Sequence, residues 1–376
     1  MRILAVFSTD HLLGGGEVSF TLTLRAVRAA GHEVLALIPA RGPICAYLDE
    51  NGIRFEVARQ ETLRNPSRLT RLLWPGPDWT RIVTEFQPDL IHCNAIRSAL
   101  YGQAVGRRFG IPTILHARKE MSDPTDMFLM ATLDGIVCIS EVVRKRFATR
   151  RGKAILWVVY NTVELPEQQK APAHASELRA KWLGEKGGFL IGLPGRLSPI
   201  KGQQRVVRAA TRVLRSCPAV RFVFIGERDA SFPDFRSELE QEIGANGLEQ
   251  HFVFAGFERD MASAYHALDV VVFPTSSEAF GRIAIEAGAA RIPLIANDID
   301  VMREILPSPP ADFVVNCDDA DAFADRMVQA LLQPEWRARC VNRLYDHVRD
   351  KFGVAAHGDA ILRVYEEILE HRRGVK

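Results

Sequence analysis

Residues 189–227 read FLIGLPGRLSPIKGQQRVVRAATRVLRSCPAVRFVFIGE. An apolar run stops at a Gly-Arg turn, a segment of helical period follows from about Lys201, and a second apolar run closes the stretch. Continuous Val/Ile/Leu/Phe runs that alternate with helices indicate a parallel sheet covered on both faces. The same alternation extends in both directions. Downstream lie HFVFAGF (251–257), VVVFPT (270–275), LIAND (294–298) and DFVVN (312–316). Upstream, beyond the polar, Pro-containing connector NTVELPEQQKAPAHAS (161–176), lie RILAVFS, EVLALIP, IRFEVAR, DLIHCN, PTILHA, GIVCIS and ILWVVYN, with a helical segment over 16–30. The expectation is two Rossmann-like, doubly wound parallel-sheet domains, 1–163 and 164–354. A last helical segment, 355–376, is expected to cross back to the first domain.

Composition sets the class. With 47% hydrophobic and 25% charged residues the chain reads as a soluble enzyme. Six cysteines at wide, irregular spacings read as reduced thiols of a cytoplasmic protein, with no close pair for a zinc site. The opening apolar run is too short for a signal-peptide core or a membrane span. Charge is uneven: residues 1–160 hold 21 Lys and Arg against 15 Asp and Glu, a net +6, and the rest is −4. The basic run RKRFATRRGK (144–153) and the arginines around Trp74 and Trp79 suggest a peripheral contact with an anionic surface on the inner face of the cytoplasmic membrane, or else ordinary solvated faces.

In open parallel sheets ligands lie beyond the carboxyl ends of the strands, so chemistry is sought in the residues after each run. After the first run, Gly14, Gly15 and Gly16 open a helix and permit close backbone approach of an anion; the turn can equally be structural. Their spacing is not the dinucleotide fingerprint, and no acidic residue ends the second run. Arg196 and Lys201, flanked by Gly195 and Gly202, form a candidate diphosphate seat or two solvated cations. His116 ends another run, with Arg118 and Lys119 after it, and reads as structural or ligand-facing. In PTSSEAFGRIAIEAG (274–288), Glu278 sits in a turn and Glu286 inside the helix that follows. Glu286 is placed to accept hydrogen bonds from vicinal hydroxyls such as those of ribose, or to pair with Arg282 one turn earlier.

These segments, with GGGE, PGRLSPIKGQQ, PTSSEAFGRIAIEAGAARIPLIAND and REIL in order along nearly the whole chain, resemble the retaining glycosyltransferases of family 4, which have the two-domain GT-B fold with a central cleft. The resemblance implies a hexosyltransferase of bacterial polysaccharide or glycolipid (lipopolysaccharide) biosynthesis. Its donor would be a nucleotide-diphosphate sugar and its acceptor a saccharide or lipid-linked saccharide; no metal, cofactor or nucleic acid is implied. By the same resemblance Arg196 and Lys201 hold the diphosphate, Glu286 the ribose, and Glu278 the transferred sugar. Phe280 and Gly281 offer backbone donors, Gly15 and Gly16 close from the first domain, and His116 approaches the sugar. The sequence departs from the family at Ala279, Thr162 and Arg291, where glycine is usual, and at DIDV (298–301), where a glycine pair is usual. Two D-x-D triplets, Asp298/Asp300 and Asp319/Asp321, are metal motifs in a different transferase fold. A nucleotide-sugar 2-epimerase of the same fold and a non-catalytic two-lobed binding protein are the alternatives; the first needs acid and base groups at the sugar C2, the second needs export.

Overall fold

The computed structural model describes residues 1–11, 14–60, 76–165, 174–184 and 187–374. They form two compact units, one made of the chain up to Thr162 together with the C-terminal helix from Val354, the other of Val163–Gly353.

In the first unit the elements are β1 (Arg2–Val6), α1 (Gly15–Ala29), β2 (Glu33–Ile38), α2 (Pro43–Glu50), β3 (Phe55–Val57), α3 (Pro77–Phe86), β4 (Leu90–Cys93), α4 (Ile96–Phe109), β5 (Thr113–Ala117), α5 (Asp126–Thr132), β6 (Gly135–Cys138), α6 (Glu141–Ala148) and β7 (Ile155–Val158). The strands pair in parallel in the order β3-β2-β1-β4-β5-β6-β7. Each of the seven upstream apolar runs is a strand.

The second unit contains α7 (Ala175–Leu183), β8 (Phe189–Pro194), α8 (Gln203–Ser216), β9 (Val220–Ile225), α9 (Phe235–Ala245), β10 (Phe252–Gly256), α10 (Met261–Ala267), β11 (Val270–Phe273), α11 (Arg282–Ala289), β12 (Leu294–Asn297), α12 (Asp300–Ile305), β13 (Val314–Val315), α13 (Ala320–Leu332) and α14 (Pro334–Phe352). Its parallel sheet runs β10-β9-β8-β11-β12-β13. In both sheets the order reverses direction beside the first strand, between β1 and β4 and between β8 and β11. At such a reversal the flanking loops leave in opposite directions and open a crevice beyond the strand ends.

The last helix, α15 (Val354–Gly374), belongs to the first unit's core. Its Ile361, Val364, Tyr365 and Ile368 recur at helical spacing and are buried in one cluster with Phe20, Leu24 and Val27 of α1. Burying an aliphatic side chain of this size contributes about 1.5 to 3 kcal/mol relative to exposure. All six cysteines are unpaired. No helix among the described residues is long and apolar enough to cross a membrane.

Two expectations about the basic half change. Trp79 is not at a surface: α3 places Trp79, Ile82, Val83 and Phe86 on one buried face, and the indole stacks on Tyr101 at 6.1 Å. Trp74 and the arginines before it lie outside the described residues. The run 144–153 is largely consumed by ion pairs: Arg144 with Glu141, Lys153 with Asp134, and Arg146 with Asp126.

The Arg146–Asp126 pair is fully buried, with Arg146 Nε also 2.9 Å from Asp126 Oδ2 and Arg146 Nη1 donating to Lys119 O. Removing one partner of a buried pair strands the other charge and typically costs about 3 to 5 kcal/mol, whereas an exposed pair is worth about 0 to 1. Asp126→Ala is therefore expected to destabilise the first unit by about 3 to 5 kcal/mol in urea denaturation, with Glu141→Ala, at the exposed Arg144 pair, changing it by less than about 1.

Candidate active site

The loops after β8 and β11 meet at the reversal point of the second unit's sheet. Gly195 follows β8 with φ 137°, and a 3-10 turn, Pro199–Lys201, leads into Gly202 at φ 78°, which caps α8. Lys201 thus ends the turn before the helix rather than starting the helix. A side chain at Gly202 would place its Cβ 2.2 Å from Pro274 O, so only glycine lets the two loops touch. Ile200 O accepts from Thr275 Oγ1 (3.0 Å) and Ser276 N (2.9 Å), Arg205 Nη1 donates to Pro274 O (2.7 Å), and Asn297 Nδ2 donates to Thr275 O (3.0 Å).

On this junction Lys201 Nζ lies 2.7 Å from Glu278 Oε2, both side chains one-fifth exposed, and 5.7 Å from the centre of the Phe273 ring. Glu278 Oε1 accepts from Ala279 N at 3.1 Å. Gly281 holds φ 87° and caps α11, and a Cβ there would meet Met302 at 2.4 Å and Glu278 Cγ at 3.6 Å. Phe280 is a core anchor, buried and edge-on to Phe352 at 5.9 Å; its side chain fixes the loop while the turn's backbone leads into the helix start. Arg196 remains 64% exposed and pairs with Asp229 Oδ2 at 3.1 Å. Asp229 lies after β9, where its N–H donates to Leu197 O and its Oδ1 accepts from Ser231 N. Nothing in the motif spacing points to Asp229.

Glu286 meets both of the partners its position allows. Arg282 Nη2 lies 2.8 Å from Oε1, and the hydroxyl of buried Tyr265 donates to Oε2 at 2.7 Å. Burial, reinforced by the Glu286 charge, pushes the Tyr265 phenol well above its ordinary pKa, so it stays a donor. The structure therefore groups Lys201, Glu278 and Gly281 at one point, with Glu286 farther along α11 and Arg196 earlier on the loop that carries Lys201, turned to Asp229.

The first unit gives a different picture. His116 stands one residue from the carboxyl end of β5 but is not exposed there: strand alternation turns it into the layer under α1, where it is wholly buried, stacked on His92 at 5.3 Å and edge-on to Phe20 at 6.3 Å. Neither ring nitrogen has a hydrogen-bond partner among the described residues. Burial first, then the Arg118 charge, drives its pKa well below the ordinary value, so the ring is neutral. Gly15 begins α1, and a Cβ added at Gly16 would meet Arg118 Cδ at 3.4 Å. Arg118 is the cation that reaches this helix start, held by Asn94 Oδ1 (2.8 Å) and Asn161 Oδ1 (2.7 Å).

The D-x-D triplets have local explanations. Asp298 is bound by both Arg303 Nε and Nη2, which lowers its pKa, and Asp319 caps α13 by accepting from Asp321 N and Ala322 N.

The family model described as "Glycosyltransferase Family 4" matches residues 13–166, and that described as "Glycosyl transferases group 1" matches residues 175–347. The chain belongs to the GT-B glycosyltransferases, with a family 4 first half and a group 1 second half. It is 25% identical over 384 residues to the alpha-D-kanosaminyltransferase of Streptomyces kanamyceticus, spanning 91% of this chain and 96% of that protein. It is 27% identical over 202 residues to the lipopolysaccharide core biosynthesis mannosyltransferase LpcC of Rhizobium leguminosarum, spanning 54% of this chain and 57% of that protein. Its fold matches that of Anabaena HepE, solved in complex with UDP and glucose, with a TM-score of 0.81 at 21% identity over 96% of this chain and 99% of the other. The protein is an enzyme, a glycosyltransferase, and these likenesses favour neither the epimerase nor the binding protein.

Gly202 gives a direct check on the loop junction. Gly202→Ala places a methyl group against Pro274 O in a left-handed backbone that disfavours L-residues by about 1 to 2 kcal/mol. The expected result is a lowered melting temperature together with reduced turnover; unchanged values of both would mean that the loops do not need to touch.

Proposed function

We propose that this enzyme transfers a sugar from a nucleotide-diphosphate donor to a hydroxyl of a saccharide or glycolipid acceptor with retention of anomeric configuration. The observation that carries the reading is the Lys201–Glu278 pair, set beside the glycine-capped start of α11 at the reversal point of the sheet. Breaking the bond between anomeric carbon and phosphate oxygen leaves positive character on the sugar and adds negative charge to the departing diphosphate. Lys201 and Arg196, with the starts of the adjacent helices, supply fixed positive potential for that charge. Glu278 faces the opposite demand: a carboxylate in this place accepts hydrogen bonds from sugar hydroxyls and holds the ring over the helix start. Lys201 has three donors, so it keeps Glu278 while gripping phosphate. Glu286 binds the ribose. His116, closed off and neutral, takes no contact role in this reading. The chain's own cations meet the leaving group's charge, and the proposal includes no metal.

The same proposal extends to location at an anionic membrane surface, now without Trp79. The first unit exposes Met121, Met127 and Phe128, the last two on the outer side of α5, and also exposes Lys119 and Arg151. Apolar side chains combined with cations suit the headgroup level of an anionic bilayer. In flotation with phosphatidylglycerol vesicles at low salt, binding is expected to be weakened by high salt and by Met127→Asp with Phe128→Asp. No binding at low salt would remove this part of the proposal.

Incubation with UDP-, GDP- and ADP-sugars tests the reaction itself: the expected products are free nucleoside diphosphate and a glycoside of unchanged anomeric configuration by NMR. Kinetics then separates the residues. Lys201→Ala is expected to lower kcat by about 100-fold or more, because one donor to developing charge supplies a few kcal/mol in the transition state. Glu286→Gln is expected mainly to raise the donor KM, since ribose hydroxyls do not change charge in the reaction. Full activity in Lys201→Ala would return that residue to a surface role.

A further inference from the structure

Gln203, the first residue of α8, is wholly buried, and its Nε2 donates to Arg196 O at 3.0 Å. Its Oε1 has no hydrogen-bond partner among the described residues. A buried amide oxygen without a donor costs stability that an apolar side chain of the same length would not. The glutamine is thus kept for the one bond it makes. That bond has its reason in the sheet. Gly195 N donates to Ile225 O and Leu197 N to Glu227 O, both at 2.8 Å, so the chain continues along β9 beyond the end of β8. Successive residues of an extended chain turn their backbone polar groups to opposite sides, so those of Arg196 face away from β9. On that other side β8 pairs with β11 at Ile191 and Gly192, and among the described residues the ladder ends short of Arg196. Gln203 supplies the donor that the sheet does not.

We propose that Gln203 is the positioning residue of the diphosphate seat: by holding Arg196 O it closes the segment 196–203 on itself and fixes where Arg196 and Lys201 leave the backbone. This rests on the reading of those two cations as the ones that meet the diphosphate. The segment lies between Gly195 and Gly202, at φ 137° and 78°, whose backbones are conformationally permissive. Its two halves have separate anchors. Leu197 is tied to the extension of β9, and Ile200 O accepts from Thr275 and Ser276 in the loop after β11. Gln203 joins the two halves from inside. Long cationic side chains stabilise a developing charge only when they arrive at hydrogen-bond distance from it, so a fixed backbone origin bears directly on the reaction. A neutral, buried amide gives that fixity without adding charge beside the diphosphate and without competition from solvent.

The test uses the full-length chain, whichever of UDP, GDP and ADP raises its melting temperature, and the matching nucleoside monophosphate, both measured by calorimetric titration. Gln203→Met keeps the length of the side chain and removes both the bond and the unpartnered oxygen. It is expected to lower the preference for diphosphate over monophosphate about 10-fold, with the melting temperature within about 3 °C of the unaltered protein. A merely structural glutamine would lower the melting temperature and leave that preference where it was, which would overturn the proposal. In the Arg196→Ala, Lys201→Ala double variant the same substitution is expected to change the preference by less than about twofold, since the groups it positions are gone. An equal 10-fold loss in both backgrounds would show that Gln203 does not act through the cations and would likewise overturn it. If the double variant by itself keeps the full preference, the diphosphate reading of Arg196 and Lys201 falls instead. Should Gln203→Met fail to fold, Gln203→Asn, whose amide is one methylene short of Arg196 O, takes its place in the same comparison.

Discussion

Parallel pairing is the constraint from which the rest of this structure follows. A strand that must lie parallel to its neighbour is reached only by a crossover, and the crossovers here carry helices, so the strand ends and the helix starts gather at one edge of each sheet. Helix starts carry unsatisfied N–H groups and partial positive charge, and that edge becomes electropositive before any side chain is added. The reversal between β8 and β11 then decides which two loops can share a ligand. It is there that Gly202 comes up against Pro274, and the contact is possible because one loop has given up its side chain.

The charged residues on that edge are arranged as pairs: Arg196 with Asp229, Lys201 with Glu278, Arg282 with Glu286. All three are partly exposed, and such pairs are worth only about 0 to 1 kcal/mol each. Pairs of that strength orient side chains without locking them. Arginine and lysine keep donors to spare beyond one carboxylate, so a diphosphate can join a pair as well as displace it. Pre-pairing also restrains the rotamers of long side chains, which reduces the entropy lost when the ligand arrives.

What is legible in the sequence divides by distance along the chain. The apolar runs that form the sheets, and the helix α15 that completes the first core, are periodic features within about 20 residues and can be read as such. Pairings between segments cannot. Asp229 is joined to Arg196 by the adjacency of β8 and β9, and Tyr265 to Glu286 by a contact between α10 and α11; no local pattern encodes either. Two residues turn on orientation instead. Trp79 stands beside arginines in the sequence, but its spacing to Ile82, Val83 and Phe86 defines a buried helical face. His116 is near the end of β5, yet side-chain parity along a strand, not nearness to its end, decides whether a residue meets ligand or core.

The departures from the family pattern bear on where the diphosphate charge is met. Arg291 stands where glycine is usual and adopts φ 56°, a conformation that disfavours side chains; its guanidinium lies 3.5 Å from the centre of the Tyr345 ring, a contact that offsets part of that strain. The DIDV loop is different, because there the replacement changes charge. Asp300 occupies the first turn of α12 and Asp298 is bound by Arg303, so an acidic side chain sits at the helix start where a glycine pair is usual. An aspartate at that position already complements the helix dipole and repels a second anion. On the proposed reading, α12 then contributes little to the leaving group, and the developing charge falls on Lys201, Arg196 and the starts of α8 and α11. On that reading the two cations supply a larger share of the transition-state stabilisation, because a carboxylate rather than an open helix start faces the diphosphate on this side.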